Sequence, residues 1–213
     1  MSRRNFLSLL GGATLTACAP AQLAPVAQAA SASSPRKGVG AVAFDLFTLF
    51  DPRGVDQRVA EVVGNEPGFA ATWKSKLFEY SWLRAASGQY RDFEGLAGDA
   101  LQCATRTHHV ELSPAARIRI QTAFVELQPW PDSKVVLAQL RERGLKLAPL
   151  ANFSPSMIRT LLTHADLLGA FDDLISTDRA RSYKPDPRAY ALAEKSFGLP
   201  RSQIAFAAFG SWD

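Results

Sequence analysis

A carboxylate that directly follows an apolar run is the first group in the sequence that could do chemistry. Asp45 comes immediately after residues 40–44, Gly-Ala-Val-Ala-Phe. Such a short, continuous apolar run is typical of a strand buried on both faces of a parallel sheet. A carboxylate at its end loses hydration and needs a cation or several hydrogen-bond donors to stay ionised. A catalytic role and a helix-capping role would both meet that need, so Asp45 alone leaves both open.

Lys184 is the cation that could hold Asp45 charged and oriented. It lies in the stiff, proline-rich run of residues 182–187, where a lysine is poorly placed for ordinary solvation at the surface. The alternative is an exposed lysine in a turn before a helix that Asp186 caps, and spacing alone favours that alternative. The residues by themselves therefore leave the partner of Asp45 open.

The elements that must position these side chains alternate between strands and helices. Short apolar strands are predicted at residues 40–44, 146–150, 174–175 and 203–208. Helices are predicted between them, including one from Pro187 to Phe197. Residues 53–128 show only helical spacing and predict an all-helical insert. The fold class is therefore α/β, with a parallel, doubly wound sheet.

Several polar residues lie just beyond the predicted strands or in the loops that follow them. They are Asp45, Asn152, Lys184 and Asp213. Because the reactive groups of such sheets collect at the carboxyl ends of the strands, we expect these residues to belong to one site.

The first thirty residues predict an export signal rather than part of the fold. Arg3 and Arg4 precede a weakly apolar stretch, an arrangement that resembles twin-arginine signals. Residues 31–38 end a stretch rich in Ala, Pro, Gln and Ser and predict a linker. The 213-residue sequence is 47% hydrophobic, with a net charge of +4. It has no clustered basic run, so no nucleic-acid partner is predicted.

Two processing sites compete within the signal segment. Residues 15–18, Leu-Thr-Ala-Cys, resemble a lipoprotein box, whereas residues 27–29, Ala-Gln-Ala, fit ordinary signal cleavage. We therefore expect an exported protein, either free in the periplasm or anchored to a membrane by lipid at Cys18, and we favour the lipid anchor.

Five segments resemble, in the same order, the type II L-2-haloacid dehalogenases. They are residues 44–51, 77–84, 150–155, 183–190 and 206–213. The resemblance implies a Rossmann-like core at residues 39–52 and 129–213, with a helical cap inserted at residues 53–128. It also implies an (S)-2-haloacid dehalogenase: Asp45 attacks C2 of a short 2-haloalkanoic acid and expels halide, and water hydrolyses the resulting ester.

The resemblance also assigns site residues by position. The catalytic set is Asp45, Thr48, Lys184 and Asp213. The substrate- and halide-binding set is Phe47, Lys74, Phe78, Asn152, Tyr190 and Trp212. Lys74 stands where the family has an arginine that receives the halide, and lysine keeps the charge without the planar fork. No metal or organic cofactor is implied. The implied partners are a small 2-halocarboxylate and, because family members often dimerise, a second copy of the chain.

A second hypothesis on the same fold is a Mg²⁺-dependent phosphatase that uses Asp45 and Asp213 around the metal. Phosphatases of this superfamily place an aspartate two residues after the nucleophile, where it protonates the leaving group. Here that position is Phe47. Halide leaves without a proton, so Phe47 favours displacement at carbon.

A third hypothesis is a degenerate, non-catalytic envelope protein that keeps the pocket for a small carboxylate. Three polar residues of the family pattern are replaced here, by Ala151, Ala208 and Gly210. The family's glycine before Thr48 is missing, which leaves the position of the Thr48 hydroxyl open. The chain stops at Asp213, where the family continues with a helix and a strand, so we expect a truncated C-terminus.

Overall fold

Four parallel strands form the sheet on which the site is built. The structure, a computed structural model, describes residues 38–64 and 66–210. The strands are β1 (Ala41–Phe44), β2 (Lys146–Ala151), β3 (Ile175–Ser176) and β4 (Ile204–Ala207), in the spatial order β3-β2-β1-β4. The predicted parallel α/β sheet is confirmed. The predicted signal segment, residues 31–37 of the predicted linker, Trp212 and Asp213 lie outside the described residues.

Seven α-helices occur in the described part of the chain. Four belong to the segment inserted after β1 and are α1 (Arg53–Val63), α2 (Phe69–Ser87), α3 (Phe93–Thr107) and α4 (Pro114–Gln121). Three connect the strands and are α5 (Ser133–Glu142), α6 (Pro155–His164) and α7 (Pro187–Phe197). In the described residues, none of these helices has both the length and the apolar character needed to cross a membrane.

The ends of α7 follow directly from its sequence. Asp186 precedes the helix and its side chain accepts the backbone N–H of Arg188 at 2.8 Å. Pro187 fits the first turn, where its missing N–H costs no helical hydrogen bond. Gly198 ends the helix with a φ of +65°, a left-handed conformation that favours glycine. These signals place both ends of α7 where the sequence predicted them.

Alternate residues of the strands face two separate cores, one on each side of the sheet. Ala41 and Ala43 of β1 point to one side, with Leu192 and Phe197 of α7. Phe44 points to the other side, into the larger core that the insert shares. Because both faces are covered, the strands contain few polar residues, as expected of a parallel sheet.

The helical insert leaves and rejoins the sheet at a single antiparallel bridge between Phe50 and Pro129. The backbone N–H of Asp51 donates to the Gln128 carbonyl at 2.9 Å, and the N–H of Trp130 donates to the Leu49 carbonyl, also at 2.9 Å. The two ends of the insert are therefore held side by side, at the carboxyl edge of the sheet.

Aromatic side chains join the insert to the sheet domain. Trp73 of α2 is fully buried, and its indole N–H donates to the Ala97 carbonyl of α3 at 2.9 Å. The Phe124 ring lies 5.3 Å from the Trp73 ring and 5.6 Å from the Phe153 ring, which follows β2. The insert and the sheet therefore share one continuous apolar core at this point.

Asp173 joins three elements near the amino end of β3. Its carboxylate accepts two hydrogen bonds from Arg179, at 2.9 and 3.1 Å, one from the Ser196 hydroxyl at 2.6 Å and one from the Leu174 N–H at 2.7 Å. The Arg179 guanidinium, more than any other group, holds the pKa of Asp173 well below the usual aspartate range. The ionised form therefore stabilises the fold.

We predict that Asp173→Asn lowers the free energy of unfolding by about 1–2 kcal/mol at pH 7, because charged hydrogen bonds are lost at a partly exposed site. A lowered pKa stabilises the fold above the ordinary aspartate pKa of about 3.9 and ceases to do so as the pH falls through the lowered value. The difference between the variant and the unmodified protein should therefore shrink below about pH 4. Urea unfolding at several pH values measures both effects.

Asp166→Asn is the matched control for this prediction. Asp166 pairs with Lys134 at 2.6 Å, but its side chain is 89% exposed. Its replacement should change stability much less than Asp173→Asn does. Equal losses in the two variants, or a difference that persists at low pH, would contradict the prediction.

Candidate active site

Asp45 lies at the carboxyl end of β1, with its two carboxylate oxygens engaged differently. Oδ1 accepts the backbone N–H of Phe47 at 2.8 Å and so caps the short 3₁₀ turn of residues 46–48. Oδ2 accepts a hydrogen bond from Nζ of Lys184. The side chain is 14% exposed. One oxygen therefore makes the capping bond, and the other pairs with the cation that keeps a buried carboxylate compensated.

Lys184 is a buried cation, and the alternative of an exposed lysine in a turn is wrong. Its side chain is 4% exposed and reaches Asp45 from the segment between β3 and α7. The ammonium also lies 5.2 Å from the centre of the Phe206 ring, within the range of a cation–π interaction. Removing one partner of such a buried pair leaves an uncompensated charge, at a cost of about 3–5 kcal/mol.

The Thr48 side chain binds the backbone of Asp45. Its Oγ1 donates to the main-chain carbonyl of Asp45 at 2.6 Å. The physical reason is the 3₁₀ turn: without a glycine after Phe47, Thr48 lies three residues from Asp45 and faces its carbonyl. Thr48 therefore stabilises the backbone of the turn, and the Phe47 N–H donates a hydrogen bond to the Asp45 carboxylate.

Asn152 presents its amide group at the end of β2. Its Oδ1 accepts the backbone N–H of Lys184 at 2.9 Å and the Thr177 hydroxyl at 3.4 Å. Because the oxygen is used by these donors, the NH₂ group is what Asn152 can offer to an anion. The same bond ties the backbone of Lys184 to the sheet.

A cavity of about 260 Å³ lies over Asp45, between the sheet domain and the insert. Its polar lining consists of Asp45, Lys74, Ser81, Asn152 and Lys184. The apolar lining is largely aromatic: Phe47, Phe78, Trp82, Phe93, Phe124, Phe153 and Phe209. The cavity therefore combines one carboxylate and two cations with walls that are largely aromatic.

Phe47 is part of this apolar wall. Its ring lies edge-on to the rings of Phe153 and Phe209, at centroid distances of 6.2 and 5.7 Å. The main-chain carbonyl of Phe47 accepts the Trp130 indole N–H at 3.1 Å. Position 47 is thus held in place from both its side chain and its backbone.

Lys74 lines the cavity from α2 but shares its charge with an acidic neighbour. Its Nζ lies 2.5 Å from Oδ1 of Asp56 on α1, and the two side chains are 36% and 44% exposed. The pair lies where water can reach it, so its own contribution to stability is small, about 0–1 kcal/mol. The ammonium therefore remains accessible to an anion in the cavity.

The structure brings together six of the ten predicted site residues around the cavity: Asp45, Phe47, Lys74, Phe78, Asn152 and Lys184. Tyr190 is not among the described lining residues, because α7 carries it to the face of the sheet, where its ring lies 5.5 Å from that of Phe206. Thr48 binds the main-chain carbonyl of Asp45 and is not among the described lining residues. Trp212 and Asp213 are outside the described residues.

Sequence reasoning missed several residues of the wall, most of them aromatic. Ser81 and Trp82 lie three and four residues after Phe78 on α2, so helical spacing was a signal that could have placed them beside it. Phe124 and Phe153 come from different parts of the chain, and no local pattern distinguishes them from ordinary core residues.

Comparisons with known proteins agree with this geometry. A family model described as a haloacid dehalogenase-like hydrolase matches residues 26–207. The chain is 40% identical over 174 residues to the (S)-2-haloacid dehalogenase of Pseudomonas sp. strain YL. The aligned residues cover 81% of this chain and 75% of that protein. It is 35% identical over 179 residues to haloacetate dehalogenase H-2 of Moraxella sp. strain B, covering 83% and 80% of the two chains.

A solved structure shares both fold and sequence with the chain. The L-2-haloacid dehalogenase from Xanthobacter autotrophicus with chloropropionic acid covalently bound superposes with a TM-score of 0.73 and 34% identity, over 79% of this chain and 69% of that one. With the family match over most of the chain, this agreement confirms the resemblance in the sequence. The chain belongs to the haloacid dehalogenase-like hydrolases.

Proposed function

We propose that the protein is an (S)-2-haloacid dehalogenase that hydrolyses the carbon–halogen bond of short 2-haloalkanoic acids. One observation carries the proposal: the Asp45 carboxylate is held by the buried Lys184 and faces an apolar, aromatic cavity. The similarity to a dehalogenase with chloropropionic acid covalently bound supports a reaction through an enzyme ester.

The first step is a displacement at carbon. An oxygen of the Asp45 carboxylate attacks C2 of the substrate, and the carbon–halogen bond breaks with its electron pair on the departing halide. The product is an ester between Asp45 and the 2-carboxyalkyl group. In the second step water attacks the ester carbonyl of Asp45, which releases the 2-hydroxy acid, restores the carboxylate and leaves one proton for solvent. Asp213, which the resemblance places in the catalytic set, lies outside the described residues.

The cavity offers separate groups to the anions of this reaction. Lys184 is committed to Asp45, so the accessible ammonium of Lys74 and the NH₂ group of Asn152 are the donors for the halide. The aromatic walls lower the local dielectric around Asn152, which strengthens its contact, whereas the Lys74 ammonium acts from a side that water can reach. An apolar wall also removes water from the attacking carboxylate.

Position 47 argues against cleavage of phosphate esters. An alkoxide leaving group needs a proton, and an acid two residues after the nucleophile would supply it. Here Phe47 packs between two other phenylalanine rings and offers no proton. The non-catalytic alternative rests on Ala151, Ala208 and Gly210, and the halide measurement below tests it directly.

We also propose that the protein is exported and carries lipid at Cys18. The proposal rests on Arg3, Arg4 and residues 15–18, which resemble a twin-arginine signal and a lipoprotein box. The homodimer expected from the family stays a prediction.

We predict that the purified protein releases chloride from L-2-chloropropionate and that Asp45→Asn abolishes the release, because the amide is a far weaker nucleophile than the carboxylate. Chloride titration measures turnover, and mass spectrometry of the Asp45 peptide detects the ester. Asp51→Asn is the control, since Asp51 pairs with Arg53 at 2.5 Å outside the cavity. No chloride from the unmodified protein, or equal release from Asp45→Asn, would overturn the proposal.

We predict that Lys74→Ala lowers kcat/KM by roughly 10- to 100-fold, because the departing halide loses a cation that is placed to receive it. Lys74→Arg, which keeps the charge, should retain most of the activity. Lys76→Ala is the matched control: Lys76 lies on the same helix and pairs with Glu79 at 2.6 Å. If Lys74→Ala and Lys76→Ala behave alike, Lys74 does not receive the halide.

We predict that the full-length protein expressed in a Gram-negative host fractionates with membranes and incorporates a palmitate analogue. Cys18→Ala should lose both the label and the membrane association, because it removes the only thiol of the lipoprotein box. Replacement of Arg3 and Arg4 by lysine should leave the precursor in the cytoplasm. A soluble periplasmic product that begins after Ala29 would instead establish ordinary cleavage and refute the lipid anchor.

A further inference from the structure

The loop that carries Lys184 is fastened to the helical insert by the preceding residue. Tyr183 is fully buried, and its hydroxyl donates to the main-chain carbonyl of Arg91 at 2.5 Å. Arg91 lies in the short connection between α2 and α3, the two helices that supply Lys74, Phe78 and Phe93 to the cavity wall. One hydrogen bond therefore joins the neighbour of Lys184 to the wall that faces Asp45.

A second tyrosine from the insert completes this contact. The Tyr90 ring stacks on that of Tyr183, with centroids 5.5 Å apart and planes inclined by 29°. The Tyr90 hydroxyl donates to Oδ1 of Asp178, in the 3₁₀ turn that follows β3. The Arg181 guanidinium lies 5.1 Å from the centre of the Tyr90 ring. The two phenols thus reach in opposite directions, one from the sheet domain to the insert and one from the insert to the sheet domain.

Both hydroxyls are fixed as donors. Burial raises the pKa of Tyr90 and of Tyr183 well above the usual range of a phenol. Neither phenol ionises near neutral pH, so each keeps the proton that its hydrogen bond requires.

The backbone of Lys184 depends on the same contact. Its N–H donates to Asn152 Oδ1 at 2.9 Å, and its ammonium reaches Asp45. A shift of the Tyr183 ring would move this backbone and with it the ammonium, and small displacements of catalytic groups are costly to the chemical step. The pair Tyr90–Tyr183 therefore links the placement of the insert to the placement of Lys184.

We infer that Tyr183, together with Tyr90, is a positioning residue that couples the position of the insert beside the cavity to the position of Lys184 beside Asp45. The inference rests on the proposed dehalogenase function, because its effect is on the chemical step. It differs from general packing, since a separate polar contact also joins insert and sheet domain: Ser154 Oγ donates to Glu94 Oε1 at 2.5 Å. That contact does not involve the loop of Lys184 and provides a matched control.

The test compares Tyr183→Phe, Tyr90→Phe, the double variant and Glu94→Ala in the full-length protein. Replacement by phenylalanine keeps the stacked rings and removes only the hydroxyls. Tyr183→Phe should lower kcat about tenfold or more, with KM changed by less than about threefold, because the cavity wall is intact while Lys184 shifts. The double variant should be no worse than the poorer single variant, since the two tyrosines act as one unit. Glu94→Ala should lower the thermal midpoint without lowering kcat.

Hydrogen exchange measured by mass spectrometry adds a readout that does not need turnover. Tyr183→Phe should accelerate exchange in residues 88–95 and 182–186 together, whereas Glu94→Ala should leave residues 182–186 unchanged. A lower thermal midpoint in Tyr183→Phe with unchanged kcat and unchanged exchange would overturn the inference. An equal loss of kcat in Glu94→Ala would also overturn it. If the unmodified protein releases no halide, the proposed function fails, and the exchange pattern alone decides whether the two segments are coupled.

Discussion

Two opposite charges, those of Asp45 and Lys184, are held almost out of water at the carboxyl end of the sheet. Burying either charge alone is prohibitive, so each can exist there only while the other stays in place. Much of the surrounding structure serves this requirement. The Asp45 N–H donates to the Ala207 carbonyl of β4 at 2.9 Å, and the Phe47 N–H donates to Oδ1 of Asp45. Asn152 holds the backbone of Lys184. The pair thus gathers the ends of three strands into one site.

The pair of Asp45 and Lys184 also determines which reaction the site can perform. A lysine that donates to the attacking carboxylate holds it in position, but also lowers its electron density. The aromatic wall offsets that loss by removing the water that would otherwise solvate the nucleophile. Halide suits such a site because it leaves as a stable anion without needing a proton. A leaving group that must be protonated would find only Phe47 at the position where an acid would have to stand.

Local signals in the sequence were enough to predict much of the fold. Contacts between residues that are far apart in the chain could not be predicted in this way. The strand before Asp45, both ends of α7 and the all-helical insert follow from apolar spacing, Pro187, Asp186 and Gly198, each of which acts within a few residues. The sequence left the position of the Thr48 hydroxyl open, because the exact turn decides where a side chain points. Tyr90 and Asp178 are 88 residues apart, and Lys74 finds Asp56 only once α1 and α2 are packed. No pattern within one segment carries that information.

The bridge between Phe50 and Pro129 has a consequence for how such a protein can change over time. A segment whose two ends leave the sheet side by side can be lengthened, shortened or replaced without altering the path of any strand. The nucleophile and its lysine belong to the sheet domain, whereas much of the wall that meets the substrate belongs to the insert. Reaction chemistry and substrate choice can therefore evolve on separate stretches of the gene. A new insert must still supply a partner for the Tyr183 hydroxyl, in addition to the apolar and polar surfaces that meet the sheet domain.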